Sequence, residues 1–266
     1  MRQRDVFPTY RDYCSKMNNV YNIMLNNMQE DYVDQLCAMR GYIDKEQINL
    51  IKDMKLGNPI IDDATILGED REYLGLVTKN DEFLLNNRFI VPIRDIAGNI
   101  VAFVGYYKDY KKYITTPSLF FSKNSLFFNM EYAYRVSWEK YNGVVILVEG
   151  IFDALSLRAI GLPAIATMGS VVQEPKSEQL RLFRKVIAIA DNDKVGREAM
   201  SLVGKKAWKL PSTATRLLLK GKCRTEYGDV AIKDCDNLVT FFDKDSIVEM
   251  IMQFKDSKEA YVTLEF

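Results

Sequence analysis

Residues 144–153 read Val-Val-Ile-Leu-Val-Glu-Gly-Ile-Phe-Asp, and residues 186–197 read Val-Ile-Ala-Ile-Ala-Asp-Asn-Asp-Lys-Val-Gly-Arg. Each opens with an apolar run rich in Val and Ile and then turns abruptly acidic. A short all-apolar run of this kind is a strand buried on both faces, the strand type of a parallel sheet. The texture around them alternates. Strands are expected at 144–148, 164–167, 186–190 and 215–219. Helices are expected at 152–160 (closed by Gly161), 177–183 and 196–210. That alternation predicts βαβ units, and such sheets bind ligands outside the carboxyl ends of their strands.

Acids stand at those ends. Glu149-Gly150 follows the first strand, with Asp153 one helical turn onward. Asp191-Asn192-Asp193 follows the third strand, and Asp234-Cys235-Asp236 comes after the fourth. A lone acid in such a place is commonly a solvated loop residue, and an Asp-x-Asp is often a helix cap with a spare acid. Gathered on one rim, like charges repel and raise each other's pKa unless a cation neutralises them. Oxygen ligands without His or Cys select Mg²⁺ or Mn²⁺, ions that hold phosphates and polarise a reacting oxygen. Lys194 and Arg197 follow Asp193 at a helix start, where Gly196 permits close backbone approach. This suits a phosphate; an Arg197–Asp193 ion pair is the alternative.

The 266 residues include no histidine, and 36 Lys and Arg balance 36 Asp and Glu. Triads and pairs that need imidazole are excluded, as are His-containing zinc sites. The cysteines at 14, 37, 223 and 235 form no CxxC spacing, so reduced thiols and no zinc are expected. Apolar runs are far too short for a bilayer. Met1–Asp5 is charged with no apolar stretch behind it, so neither a leader nor a membrane partner is expected. The expected location is the cytoplasm, or the host cytoplasm if a phage encodes the chain. Net neutrality argues weakly against nucleic acid, yet it conceals an uneven spread. Residues 30–87 hold 6 basic and 13 acidic side chains, 88–130 hold 6 and 2, and 176–224 hold 13 and 4.

Upstream, residues 8–56 read as helices. Tyr21, Met24, Leu25 and Met28 recur at helical spacing, as do Val33, Leu36 and Cys37 before a C-cap at Arg40–Gly41. Asp44 is placed to cap a helix reaching about Met54, ended by Gly57 and Pro59. These Met and Tyr stripes read as core. Phe89–Val91, a turn at Asp95–Gly98 and Ile100–Tyr107 predict a hairpin or meander. Further short extended pieces are expected around Tyr113 and Phe120, and a helix at 129–142.

Glu149-Gly150-Ile151-Phe152-Asp153, Thr167-Met168-Gly169-Ser170 and Asp191-Asn192-Asp193-Lys194-Val195-Gly196-Arg197 together resemble the Toprim domain, and within it the DnaG-type primases. The resemblance continues upstream through Arg88–Asp95, Gly98–Phe103, Lys112-Tyr113-Ile114 with Pro117, and Phe121-Ser122-Lys123 with Leu126–Asn129. Arg40-Gly41-Tyr42 and Asp234–Val239 extend it to roughly residues 30–245. Departures are Thr115-Thr116-Pro117 for Asn-Ser-Pro, Lys123 as the one basic residue kept of a His-Lys-Gly-Arg-like stretch, and Val104-Gly105-Tyr106 for Gly-Gly-Arg. The family's zinc-binding domain before this core and its helicase-binding domain after it find no counterpart here. A compact, divergent primase of the kind a phage carries has this form.

The resemblance implies an α/β chain: an α+β amino-terminal lobe over 1–142 with a basic meander, a Rossmann-like Toprim domain over 143–245, and a helix or tail over 246–266. It implies RNA primer synthesis on single-stranded DNA from NTPs. Two Mg²⁺ or Mn²⁺ ions would be held by Glu149, Asp191 and Asp193, with Asp234 and Asp236 helping the second. Glu149 would accept the hydroxyl proton, and Asp153 and Gly150 would support the ligands. Lys194 and Arg197 would meet the triphosphate, while Arg88, Arg94, Lys112 and Lys123 would hold the template. Tyr106, Tyr107, Tyr110 and Tyr113 could stack on bases, but aromatics in a meander are more often packing. A replicative helicase or a separate zinc-binding protein would set initiation. The rivals are a Toprim nuclease, for which residues 88–128 would be superfluous, and a non-catalytic replisome adaptor. A topoisomerase fits less well, for want of a segment bearing a nucleophilic tyrosine.

Overall fold

A computed structural model describes residues 9–40, 45–107, 113–118, 120–169, 171–202, 204–205, 207–225 and 228–265. The chain forms two compact units, one of residues 1–41 and 51–121, the other of 42–50 and 122–266.

In the first unit, α1 (Tyr10–Asn26) starts at Thr9. The Thr9 hydroxyl accepts from the Asp12 N–H at 3.2 Å, while the Asp12 carboxylate accepts from the Thr9 N–H at 3.3 Å. This reciprocal cap satisfies two donors that a helix start leaves open. Tyr13, Met17, Val20, Tyr21 and Met24 form its buried stripe; of the residues expected at helical spacing, Tyr21 and Met24 lie in it, Leu25 is partly buried and Met28 follows the helix end. α2 (Tyr32–Arg40) and α3 (Lys45–Asp53) follow, the first six residues of α3 belonging to the second unit. The expected caps at Gly41 and Asp44 lie outside the described residues. β1 (Phe89–Arg94), β2 (Ile100–Tyr106) and β3 (Tyr113–Thr115) make an antiparallel meander in that order. Its turn closes with the Asp95 N–H on the Asn99 carbonyl at 2.9 Å and Gly98 at φ 87°, a backbone region that favours glycine. Phe120 sits in a bend rather than the expected extended piece.

The second unit opens with α4 (Met130–Lys140). Then come β4 (Val144–Val148), α5 (Ile151–Ala159), β5 (Ala164–Ala166), β6 (Lys185–Ala190), α6 (Lys194–Met200) and β7 (Thr215–Lys220). A hairpin of β8 (Lys222–Thr225) and β9 (Gly228–Ala231) leads into α7 (Cys235–Phe241), α8 (Lys244–Met252) and β10 (Tyr261–Glu265). One parallel sheet of order β10-β7-β6-β4-β5 carries this unit, so the expected α/β class is the observed one. Val145, Leu147, Ile165, Val186 and Ala188 pack with Phe127, Leu180 and Trp208 in its core.

Three expectations change. Residues 177–183 form a tight 3₁₀ segment, Lys176–Leu182. The helix expected at 196–210 ends at Met200, before Gly204 at φ 122°. The expected helix or tail at 246–266 is α8 followed by a strand that joins the sheet.

Candidate active site

Strand order fixes where a ligand would enter. From β4 the chain crosses to β5 on one side, then returns past β4 to β6 on the other. Connections that leave in opposite directions open a crevice at the carboxyl ends of the strands between them. Glu149 leaves β4 and Asp191 leaves β6 at that point.

Glu149 is half-buried, and its carboxylate accepts the Asp191 N–H. Burial, then the charges of Asp191 and Asp193, push its pKa up to about 7. Among the described residues its buried Oε1 has no hydrogen-bond partner, a costly condition for a charged oxygen. The backbone behind it is held firmly. The Glu149 carbonyl accepts from the Met168 N–H at 3.1 Å and the Thr167 hydroxyl at 3.2 Å, with Met168 in the left-handed region at φ 57°.

Asp153 and Asp236 sit deeper, 7% and 5% exposed. Asp153 accepts the Gly150 N–H at 3.2 Å and the Asp236 N–H at 3.0 Å, clamping the start of α5 to α7. Burial, then the charges of Asp234, Asp191 and Asp236, push its carboxyl well above the usual range. A Cβ on Gly150 would lie 2.4 Å from the Asp153 carboxylate, so the clamp requires glycine. The Asp236 carboxylate accepts from the Ser156 hydroxyl and, at 3.5 Å, from Gln47 Nε2. Gln47 Nε2 also donates to Ser156 Oγ at 2.8 Å.

The remaining acids are caps as well as rim residues. Asp193 accepts the Gly196 N–H and Asp234 the Asn237 N–H, each at 2.8 Å. Backbone turns so tightly here that a Cβ on Gly196 would fall 2.0 Å from the Asp191 carbonyl. Lys194 and Arg197 are exposed. Arg197 donates to the Asn192 amide oxygen at 3.3 Å, not to Asp193.

The rim thus brings Glu149, Asp191 and Asp193 within electrostatic reach of one another, links them through Asp153 to Asp234, and turns Asp236 inward. Among the described residues, no three acidic or cysteine side chains converge closely enough to enclose an ion. The donors nonetheless suit a hard cation: all are carboxylate oxygens, one buried oxygen lacks a partner, and the charges disfavour each other.

The expected template residues divide between the units. Arg88, 8% exposed, lies across β2 where a Cβ on Gly105 would meet its Cδ at 2.9 Å, with its guanidinium 5.9 Å from the Tyr107 ring. Arg94 donates to the Gly98 carbonyl at 2.8 Å, within its own hairpin. Lys123 is exposed in the second unit, and Lys112 and Tyr110 lie outside the described residues. Tyr106 is buried beside Tyr113 at 5.3 Å, which is packing. All four cysteines are free. Gln47, Ser156 and the buried Lys176 stand in no sequence motif. Gln47 alone carries a signal, as a polar residue on the buried face of an amphipathic helix.

Residues 26–134 match the family described as DNA primase catalytic core, N-terminal domain, and residues 146–222 match the Toprim-like family. The DNA primase of Thermotoga maritima is 36% identical over 128 residues, 46% of this chain and 22% of that protein. That of Haemophilus influenzae is 26% identical over 232 residues, 83% of this chain and 37% of that protein. The chain therefore spans well under half the length of these relatives. The RNA polymerase domain of Mycobacterium tuberculosis primase DnaG superposes with a TM-score of 0.71 at 20% identity, over 92% of this chain and 84% of that one. A DnaG primase catalytic domain bound to single-stranded DNA gives 0.66 at 19% identity, over 92% and 81%. At such identities the likeness is one of fold. No helix among the described residues is long and apolar enough to cross a membrane.

Proposed function

We propose that the chain is a DnaG-type primase core that synthesises short RNA primers on single-stranded DNA from NTPs, a reading supported by the primase catalytic-core and Toprim-like matches in that order. The observation that carries this reading is the half-buried Glu149, with its partnerless Oε1, beside Asp191 and Asp193 at the reversal of strand order. Glu149, Asp191 and Asp193 would hold one Mg²⁺ or Mn²⁺ ion, and Asp234 would help with a second. When bound, such ions make the primer 3′-hydroxyl more acidic and neutralise charge on the triphosphate.

The chain's own groups do the rest. Glu149 accepts the hydroxyl proton, directly or through water. Asp153 and Gly150 hold the start of α5, and so the Glu149 backbone. Asp236 is better placed to fix α7 through Ser156 and Gln47 than to ligate, because its oxygen is already occupied. Exposed Lys194 and Arg197 attract the triphosphate, and Lys123 attracts template phosphates. Initiation would draw on a replicative helicase or a separate zinc-binding protein. The setting would be the cytoplasm.

The test is primer synthesis on single-stranded DNA with labelled NTPs and Mg²⁺ or Mn²⁺. Oligoribonucleotides are expected from the wild type and none from Asp191→Ala. Nicking of DNA or RNA without synthesis would overturn the reading in favour of a nuclease, and an active Asp191→Ala would overturn the metal site.

A further inference from the structure

Lys176 opens the 3₁₀ segment before β6 and is 1% exposed. Its ammonium donates to the Lys123 carbonyl at 2.7 Å and to the Thr167 carbonyl, and it lies 4.9 Å from the centre of the Phe127 ring. Among the described residues no carboxylate pairs with it. Burial, then the charge of Lys123, push its pKa down to about 7. A buried amine without an anion is unfavourable, and a methionine would fill the space without that cost. What the amine adds is a link between two carbonyls far apart in sequence.

Both carbonyls lie in segments that the proposed function assigns to the site. One is the peptide of Lys123, the exposed cation assigned to template phosphates. The other is that of Thr167, and the N–H of the same peptide, carried by Met168, donates to the Glu149 carbonyl at 3.1 Å. One ammonium thus spans the step from the acid that takes the proton to the cation that holds the strand. Peptide carbonyls accept such bonds best near their own plane, so the link favours an orientation as well as a distance.

We propose that Lys176 is a positioning residue that ties the Lys123 segment to the turn behind Glu149 and so fixes where the template cation stands relative to the reacting carboxylate. The inference rests on the primase reading. If it is right, Lys176 acts through Lys123, and removing Lys123 should make Lys176 irrelevant to strand binding.

The experiment is a double-mutant cycle on the full chain with Lys176→Met, Lys123→Ala and both together. It is read by fluorescence anisotropy with a labelled deoxythymidine oligonucleotide and by steady-state primer synthesis. Lys176→Met should weaken oligonucleotide binding about fivefold, as expected for one lost charge-assisted contact. It should raise KM for template while leaving KM for NTP unchanged, and Lys176→Arg should restore binding. The double variant should bind like Lys123→Ala alone. If Lys176→Met loses its fold by circular dichroism, Lys176→Gln takes its place in the same cycle. Wild-type binding by the folded Lys176 variant, or losses that multiply in the double variant, would overturn the inference and leave the primase reading standing. Wild-type binding by Lys123→Ala would overturn the template assignment of Lys123 and the inference together.

Discussion

Replacing Glu149 by Gln should stabilise the metal-free protein, and the effect should depend on pH in a fixed sense. The folded-state pKa near 7 lies above the ordinary value of 4.5, so folding favours the protonated carboxyl. Its contribution is fully present below about pH 4.5 and is lost as pH rises through about 7. At 1.36 kcal/mol per unit the ceiling is about 3 kcal/mol. Glu149 is only half-buried and solvent screens part of this, so about 1–2 kcal/mol is the expected gain at pH 8. For a chain of this size, that corresponds to roughly 3–6 °C in Tm. Thermal melts in chelator should therefore place Glu149→Gln above wild type at pH 8, with the gap closing toward pH 5. Adding Mg²⁺ should raise the wild-type Tm by mass action and leave the Gln variant unmoved. Equal melting temperatures at pH 8 in chelator, or a gap that widens toward acid, would refute the argument that this oxygen is electrostatically frustrated.

Asp193→Asn should separate two roles of one residue. Asparagine still caps α6, so Tm should not fall below the wild-type value while primer synthesis falls at least about a hundredfold, the scale of one lost electrostatic contact to a transition state. Ser156→Ala should cost about 1–3 kcal/mol in urea denaturation, because the buried Asp236 carboxylate loses its hydroxyl donor. A near-zero change would show that the donors left to that carboxylate satisfy it without the hydroxyl.

The strands of the second unit were legible because Val144–Val148 and Val186–Ala190 are apolar on both faces, which few structures other than a covered parallel sheet accommodate. The acids at their ends followed from topology. The 3₁₀ geometry of Lys176–Leu182 was not legible, since seven residues with Leu180 and Phe183 at a spacing of three suit either helical period. The early end of α6 was readable in principle from Gly204. So was β10: Val262 and Leu264 alternate with Thr263 in a β-favouring run, though edge strands that face solvent give weak patterns. Which acids face the crevice was beyond the sequence. Asp234 and Asp236 have equivalent spacing, and only the packing of Ser156 and Gln47 turns the second inward. The apparent basicity of residues 88–130 likewise overstated their freedom, because Arg94 is spent on closing its own turn.

β10 gives the sheet its outer border. It pairs with β7 from Tyr261 opposite Arg216 to Glu265 opposite Lys220, although it bears none of the chemistry and lies beyond the segments that match the two families. A version of the chain cut after α7 would retain every acid of the rim, yet it would leave β7 with an open row of peptide groups flanked by Leu217 and Leu219. Such a row invites pairing with other copies of itself. The damage would be colloidal: a protein with an intact constellation of carboxylates that falls out of solution, easily mistaken at the bench for an enzyme that has lost its catalyst.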